Sequence, residues 1–159
     1  MAVTSDIMQS WRSPRAVLRR HLQRHPTEGF ALSLLVAFLL LAFVSQWPAM
    51  SRAAFLDPGV PMTQHMVAAA LALMASIPLW YGLAGLSHLV ARRFGGSGSF
   101  LAARVALFWA LLTIAPFMLV QGMIRGFAGA GGASTLAGIL VLVGFLTLWI
   151  NMLIAAEQP

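Results

Sequence analysis

Cysteine and lysine are both absent from this 159-residue chain. Without cysteine, disulfide bonds, thiolate metal sites and cysteine nucleophiles are excluded. Acidic residues are also scarce, because only four occur beside ten arginines. Charged residues make up 9% of the chain, whereas soluble domains carry about 25%. A soluble fold of this length would need a more polar surface, so the composition predicts an integral membrane protein.

Long apolar runs fill most of the sequence, which is 60% hydrophobic with a mean hydropathy of +0.85. They predict an all-α membrane protein with four transmembrane helices behind a basic amphipathic interfacial helix. The predicted spans cover residues 30–47, 65–91, 100–124 and 134–155, within a membrane domain at 28–159 that follows an N-terminal segment at 1–27. Trp47-Pro48 predicts a helix end, Pro78 and Pro116 predict kinks, and Glu157 is assigned to a short tail.

The N-terminal segment has a helical pattern of its own. Ser13 and Pro14 are suitable N-cap and N1 residues, and His25-Pro26 ends the pattern before Thr27 begins the first span. Leucines form one stripe and arginines flank it, which is typical of a helix lying among lipid headgroups. The alternative is a charged tail that only sets orientation. The residues of the predicted interfacial helix are Arg15, Leu18, Arg19, Arg20 and Leu22.

A glycine-rich turn, Gly95-Gly96-Ser97-Gly98-Ser99, separates the second and third predicted spans. It lacks the Gly-Lys-Ser/Thr ending of a phosphate-binding P-loop, and an apolar span precedes it where a P-loop has a strand. With the amides that begin the third span, Arg92, Arg93 and Arg104 form a possible contact for an anionic lipid headgroup. The simpler interpretation, which we prefer, is a tight turn whose arginines only set topology.

The arginines are distributed unevenly around the predicted spans. Arg52 and Arg125 stand alone on one side of the membrane, and the remaining eight lie on the other. Cytoplasmic flanks carry the excess of positive charge. We therefore expect a multi-pass protein of the bacterial cytoplasmic membrane with both termini in the cytoplasm. Since the charge follows the membrane flanks, nucleic acid is not an expected partner.

Small residues recur along the second span and predict close packing against a neighbouring helix. They are Ala68, Ala72, Ser76, Gly82 and Gly85.

Few residues in the sequence are suited to catalysis, to metal binding or to proton transport. His65 and His88 lie about 35 Å apart along one helix, so they cannot bind one metal or haem together. No Asp, Glu or Lys lies inside any predicted span, which disfavours an ion-coupled pump. Because no paired carboxylates, Ser/His/Asp set or HExxH motif is present, we expect a protein that is not an enzyme and has no cofactor.

The run from Tyr81 to Phe100, followed by Ala106 to Pro116, resembles the Yip1-domain family. Members of that family carry a helix ending in basic residues, a Gly-Gly-x-Gly-Ser/Thr-Phe turn and a helix with a proline. The segment from Ser13 to Arg20 is similar to the amphipathic lead-in of bacterial members. The resemblance implies a polytopic membrane protein, and eukaryotic relatives are associated with Rab GTPases and vesicle trafficking. This chain has four predicted spans where the family usually has five, and no functional residue is carried over.

These observations favour a non-catalytic accessory, assembly or scaffold subunit. Its expected partners are the bilayer, including anionic lipids, and another integral membrane protein or complex. The alternative is a transporter or channel for a small or lipidic solute, with a cavity between the kinked second and third spans. A third hypothesis, an electron carrier, requires a bound cofactor.

Overall fold

The computed structural model describes residues 3–158, and within them every regular element is a helix. Two short helices precede four apolar helical segments that are long enough to cross a membrane. The all-α fold with four spans is thus confirmed. The helices are α1 (Val3–Arg12), α2 (Pro14–Gln23), α3 (Glu28–Leu56), α4 (Met62–Ala75), α5 (Ile77–Arg93), α6 (Phe100–Ala128) and α7 (Gly132–Glu157), and α4 and α5 together form the second span.

Polar contacts define the two ends of the bundle. At one end, Arg104 near the start of α6 pairs with Glu28 at the start of α3. We call this end, which also carries the 94–99 turn, the start of α1 and the end of α7, the terminal face. At the other end, which we call the opposite face, Arg52 of α3 donates hydrogen bonds to the carbonyls of Gly126 and Phe127. The Arg52 guanidinium thereby satisfies carbonyls that the end of α6 leaves without a helical partner.

Helix α6 occupies the centre of the bundle. Every residue from Val105 to Ala115 is buried, and α3 packs along this helix. The closest approach uses Gly122 and Gly126, where an added Cβ would collide with Ser45 and Pro48 of α3. Two glycines four residues apart allow helix backbones to approach closely within a membrane.

Helix α3 does not end at Trp47-Pro48, as the sequence predicted, but continues through Pro48 to Leu56. A proline removes one helical hydrogen bond without forcing the chain to leave the helix. Gly126 leaves space for the Pro48 ring, and in a membrane an unravelled backbone would expose more unsatisfied groups than the proline does.

Residues 126–133, which separate the third and fourth predicted spans, are also mostly helical, since only residues 129–131 lie between α6 and α7. Glu157 belongs to the last turn of α7 and is not part of a tail. Pro78 acts as predicted, because the second span is interrupted at Ser76 and restarts at Ile77. Thr27 and Ser99 cap α3 and α6 through their hydroxyls.

Candidate functional site

The N-terminal segment is a hairpin of two helices, α1 and α2, which we call the N-terminal hairpin. It is held together by Arg20, which donates to Asp6 at 3.3 Å and to Gln9 at 2.7 Å. The sequence predicted one helix in this region. Ser13 separates the two helices, and its hydroxyl makes no cap bond to α2. Val17 and Leu18 are completely buried and Leu22 is half-buried, so the leucine stripe faces the bundle.

The N-terminal hairpin is seated on α6. The Trp109 indole donates a buried hydrogen bond of 3.0 Å to the Ser10 hydroxyl. The rings of Trp11 and Phe117 contact each other at a tilt of 57°, with centroids 4.9 Å apart. Phe117 lies 17 residues after Phe100, the first residue of α6, which corresponds to about 25 Å along the helix. The hairpin therefore reaches the depth of the spans rather than only the level where α6 begins.

Two arginines fix the hairpin to α7 as well. Arg15 donates to Asn151 at 3.2 Å, and Arg19 donates to Gln158 at 3.4 Å. Both bonds are exposed, so their contribution to stability is modest. They set the direction of α2 along α7 and use two of the arginines that the sequence assigned to lipid headgroups.

His21 lies between the hairpin and the bundle. Its ring contacts Trp109 with centroids 4.3 Å apart, and its Nε2 is buried without a hydrogen-bond partner among the described residues. Burial lowers the pKa of His21 from its ordinary value of 6.5, and Arg24 and Arg20 lower it further. Asp6, whose carboxylate lies 3.9 Å from Nε2, acts in the other direction but does not outweigh the desolvation.

The terminal face carries a second cluster, which we call the clasp and which consists of His88, Gly96, Ser97, Gly98 and Glu157. Glu157 and His88 are buried and meet at 2.6 Å through Oε1 and Nδ1. The other carboxylate oxygen accepts a 3.1 Å hydrogen bond from the Gly98 amide. The Ser97 amide donates to the Glu157 carbonyl at 2.9 Å. The turn thus supplies hydrogen-bond donors to the last residue of α7. Through these contacts it joins the second, third and fourth spans.

The glycines of the turn are required by close contacts. A Cβ on Gly98 would collide with the Ala156 carbonyl and lie 2.9 Å from the Glu157 carboxylate. A Cβ on Gly96 would lie 2.8 Å from the same carboxylate and 3.0 Å from the Ala91 carbonyl. Gly95 has φ +88°, a backbone conformation that favours glycine. The turn is therefore shaped to hold the end of α7.

The three arginines considered as a lipid contact have different surroundings. Arg104 pairs with Glu28 and lies over the Tyr81 ring at 5.3 Å. Arg92 and Arg93 are exposed in the last turn of α5 and have no side-chain partner among residues 3–158. Of these three arginines, Arg104 is engaged by protein groups, and a lipid contact at Arg92 and Arg93 stays a prediction.

The small residues of the second span mostly face outward. Ala68, Ala72 and Gly82 are exposed, and nothing lies within 4 Å of the position that a Gly82 Cβ would occupy. Ser76 is bonded within its own span, to the Leu73 carbonyl and the Trp80 indole. A Cβ added to Gly85 would lie 4.0 Å from the Phe100 ring, so this position has no close packing partner among the described residues. Packing at Ala68, Ala72 and Gly82 stays a prediction about a partner outside this chain.

The opposite face has a cavity of about 480 Å³ between α3, α4 and α6. Its polar residues include Gln46, His65, Gln121 and Arg125, and its lining continues inward to Ser76 and Trp80. Sequence reasoning placed a cavity between the second and third spans, and this one also involves the first.

Sequence reasoning missed Glu157 and the Gly122–Gly126 pair. An acid in the last turn of an apolar helix is opposed by the helix dipole, which was a signal that a partner holds it. The Gly-x-x-x-Gly spacing is a direct sign of helix packing. The contact between Glu157 and His88 had no such signal, because the two residues lie 69 positions apart.

Comparison with protein families gives a match to the family described as the Yip1 domain, over residues 8–157. The match covers both the N-terminal hairpin from its sixth residue and the whole of the clasp. The resemblance noted from the glycine-rich turn is therefore confirmed. Comparison with the curated proteins and with solved structures gives no match.

Proposed function

Because this chain belongs to the Yip1-domain family, we propose that it is a non-catalytic membrane subunit that packs against another integral membrane protein. In this role it would assist or scaffold a complex and carry out no reaction of its own. The proposed setting is the bacterial cytoplasmic membrane with both termini in the cytoplasm, supported by the arginine-rich terminal face.

The observation that carries this proposal is the exposure of α4. This helix has no buried residue, and the apolar window of the second span is 0% buried compared with 67% for the third. Ala68, Ala72 and Ala75 are exposed along one side of α4. Helices that pack in membranes use small residues for close approach, because hydrophobicity gives little preference for protein over lipid.

The exposed side of α7 is a useful comparison, because its residues are bulky. Leu140 is 65% exposed and Val143 is 55% exposed. Such residues suit contact with lipid chains. The α4 surface also exposes Val67, Leu71 and Met74, but small alanines lie among them. This mixture of small and bulky residues favours α4 as the surface for a protein partner.

Blue-native electrophoresis of mildly solubilised membranes tests the proposal. The wild-type protein should migrate in a discrete complex, and Ala72→Trp should release it because the indole blocks close approach. Leu140→Trp on α7 is the matched control and should leave the complex unchanged. Migration of the wild-type protein only as a free monomer would count against the subunit function.

Transport of a small or lipidic solute is the second candidate, and the cavity on the opposite face supports it. That cavity reaches inward to Ser76 and Trp80, whereas α6 is buried from Val105 to Ala115 on the terminal side. Transport would therefore require a second conformation. Flux of solute in proteoliposomes tests this function, and an absence of flux for lipidic and small polar solutes would reject it.

A further inference from the structure

The cavity on the opposite face combines unpartnered polar side chains with an apolar interior. Gln46 of α3, His65 of α4, and Gln121 and Arg125 of α6 line it. None of these side chains has a hydrogen bond or ion pair within residues 3–158. Gln46 and Arg125 are exposed at the mouth of the cavity, whereas Gln121 and His65 are half-buried and His65 Nε2 is buried without a partner. Unsatisfied polar groups are unfavourable near the membrane interior. Their convergence from three helices indicates a binding site.

The charge of the cavity selects for an anion. Arg125 supplies a permanent positive charge, and none of the chain's acidic residues lines the cavity. Three acids lie in or beside the terminal-face clusters, and Asp57 accepts a hydrogen bond from the Gly59 amide. An arginine can form charge-assisted hydrogen bonds with a carboxylate or a phosphate. Gln46, Gln121 and His65 provide further donors beside it.

The interior of the cavity is apolar. Phe38, Leu73 and Met118 line it, and the Trp80 indole already donates to Ser76 at 3.1 Å. Leu73 also lines an apolar groove of about 270 Å³ between α3 and α4, whose lining includes Phe43 and Ile77. The interior and this groove suit a hydrocarbon chain, whereas the polar residues suit a headgroup.

We propose that the cavity binds an anionic amphiphile, a molecule with a carboxylate or phosphate headgroup and an apolar tail. The headgroup lies between Arg125 and His65, and the tail lies against Phe38, Leu73 and Met118. The volume of about 480 Å³ is within the range of ligand sites in proteins. Occupancy of the site requires neither the partner nor the transport proposed above.

Native mass spectrometry of the full-length protein in mild detergent tests this site. The probes are phosphatidylglycerol, oleate, phosphatidylcholine and inorganic phosphate, each titrated alone. One equivalent of phosphatidylglycerol or oleate should bind at least tenfold more tightly than phosphatidylcholine, and inorganic phosphate should bind more weakly than either amphiphile. Comparison of the affinities for phosphatidylglycerol and oleate shows whether the site prefers a membrane phospholipid or a free fatty acid.

The charge-removing variant is the double substitution Arg125→Gln with His65→Gln. We expect it to weaken binding of the anionic amphiphile at least tenfold, while Arg12→Gln, which removes an exposed arginine of the N-terminal hairpin, leaves binding unchanged. Ala49→Phe places a ring in the cavity and retains both basic residues. It should weaken the binding of both amphiphiles. Circular dichroism melts confirm that each variant remains folded.

The proposal is overturned if the double variant and Ala49→Phe both bind phosphatidylglycerol and oleate as the wild type does. It is also overturned if phosphatidylcholine binds equally well, because the headgroup charge would then have no effect. Binding of inorganic phosphate as tightly as either amphiphile would make this a simple anion site and would contradict the role of the tail.

Discussion

At the residue scale, the buried Glu157 determines the conformation of the turn between α5 and α6. A carboxylate at the end of a helix is opposed by the helix dipole, and its burial adds a desolvation cost. His88 and the Gly98 amide compensate by contacting different oxygens of the carboxylate. The glycine-rich sequence is required because any side chain at Gly98 would occupy this space.

We expect Gly98→Ala to destabilise the protein by about 1–3 kcal/mol, the usual cost of overpacking a closed site. Thermal unfolding in detergent measures the change. Gly131→Ala is the matched control, since nothing lies within 4 Å of its Cβ position and its φ of −171° is extended backbone. The control should change stability by less than about 0.5 kcal/mol. Equal stability of both variants would contradict the clasp.

His21 makes the docking of the N-terminal hairpin depend on pH. Its pKa in the docked state is below 6.5, so the undocked state binds the proton more readily. Docking should therefore be strongest above about pH 6.5 and weaken as the pH falls below it. Asp6, Arg20 and Arg24 are the charged groups that act on this histidine.

Hydrogen exchange of residues 3–23, compared at pH about 7.5 and about 5.5 after correction for the intrinsic rates, measures this effect. Protection should fall at the lower pH in the wild type. In His21→Gln it should change much less, because the substituted side chain does not titrate. An identical loss of protection in both proteins would assign the pH dependence to another group.

At the element scale, the spans were predictable from the sequence and their ends were not. Long apolar runs without charge identify membrane helices whatever their partners are. The end of α3 depended on Gly126 of another helix, which leaves room for Pro48. Likewise, the leucine stripe of α2 predicted an amphipathic helix, but only the fold determined that Val17 and Leu18 contact protein. The clasp depended on a contact between residues distant in sequence.

The Gly122–Gly126 pair should be the most sensitive part of the contact between α3 and α6. Gly122→Ala places a methyl group against the Ser45 backbone, which cannot move without shifting α3. We expect a loss of about 1–3 kcal/mol or more in thermal unfolding. Gly82→Ala is the control, because its site is open and alanine has the higher helix propensity. A larger loss at Gly82 than at Gly122 would contradict this packing.

At the scale of the whole molecule, the spans differ greatly in how far the chain itself covers them. The third span is the core, whereas the second packs at the edge and α4 has no buried residue. Sequence reasoning predicted the small residues of this span and a cavity beside it. It could not predict that the alanines face outward or that the cavity includes α3, because both depend on the arrangement of the helices.

Photo-crosslinking in native membranes tests the exposed α4 surface most directly. A benzoylphenylalanine replaces Leu71 on α4 or Leu140 on α7, which are both 65% exposed. The proposed function predicts a discrete protein adduct of the same mass in every preparation from position 71 and none from position 140. Adducts that are absent from position 71, or the same at both positions, would contradict it.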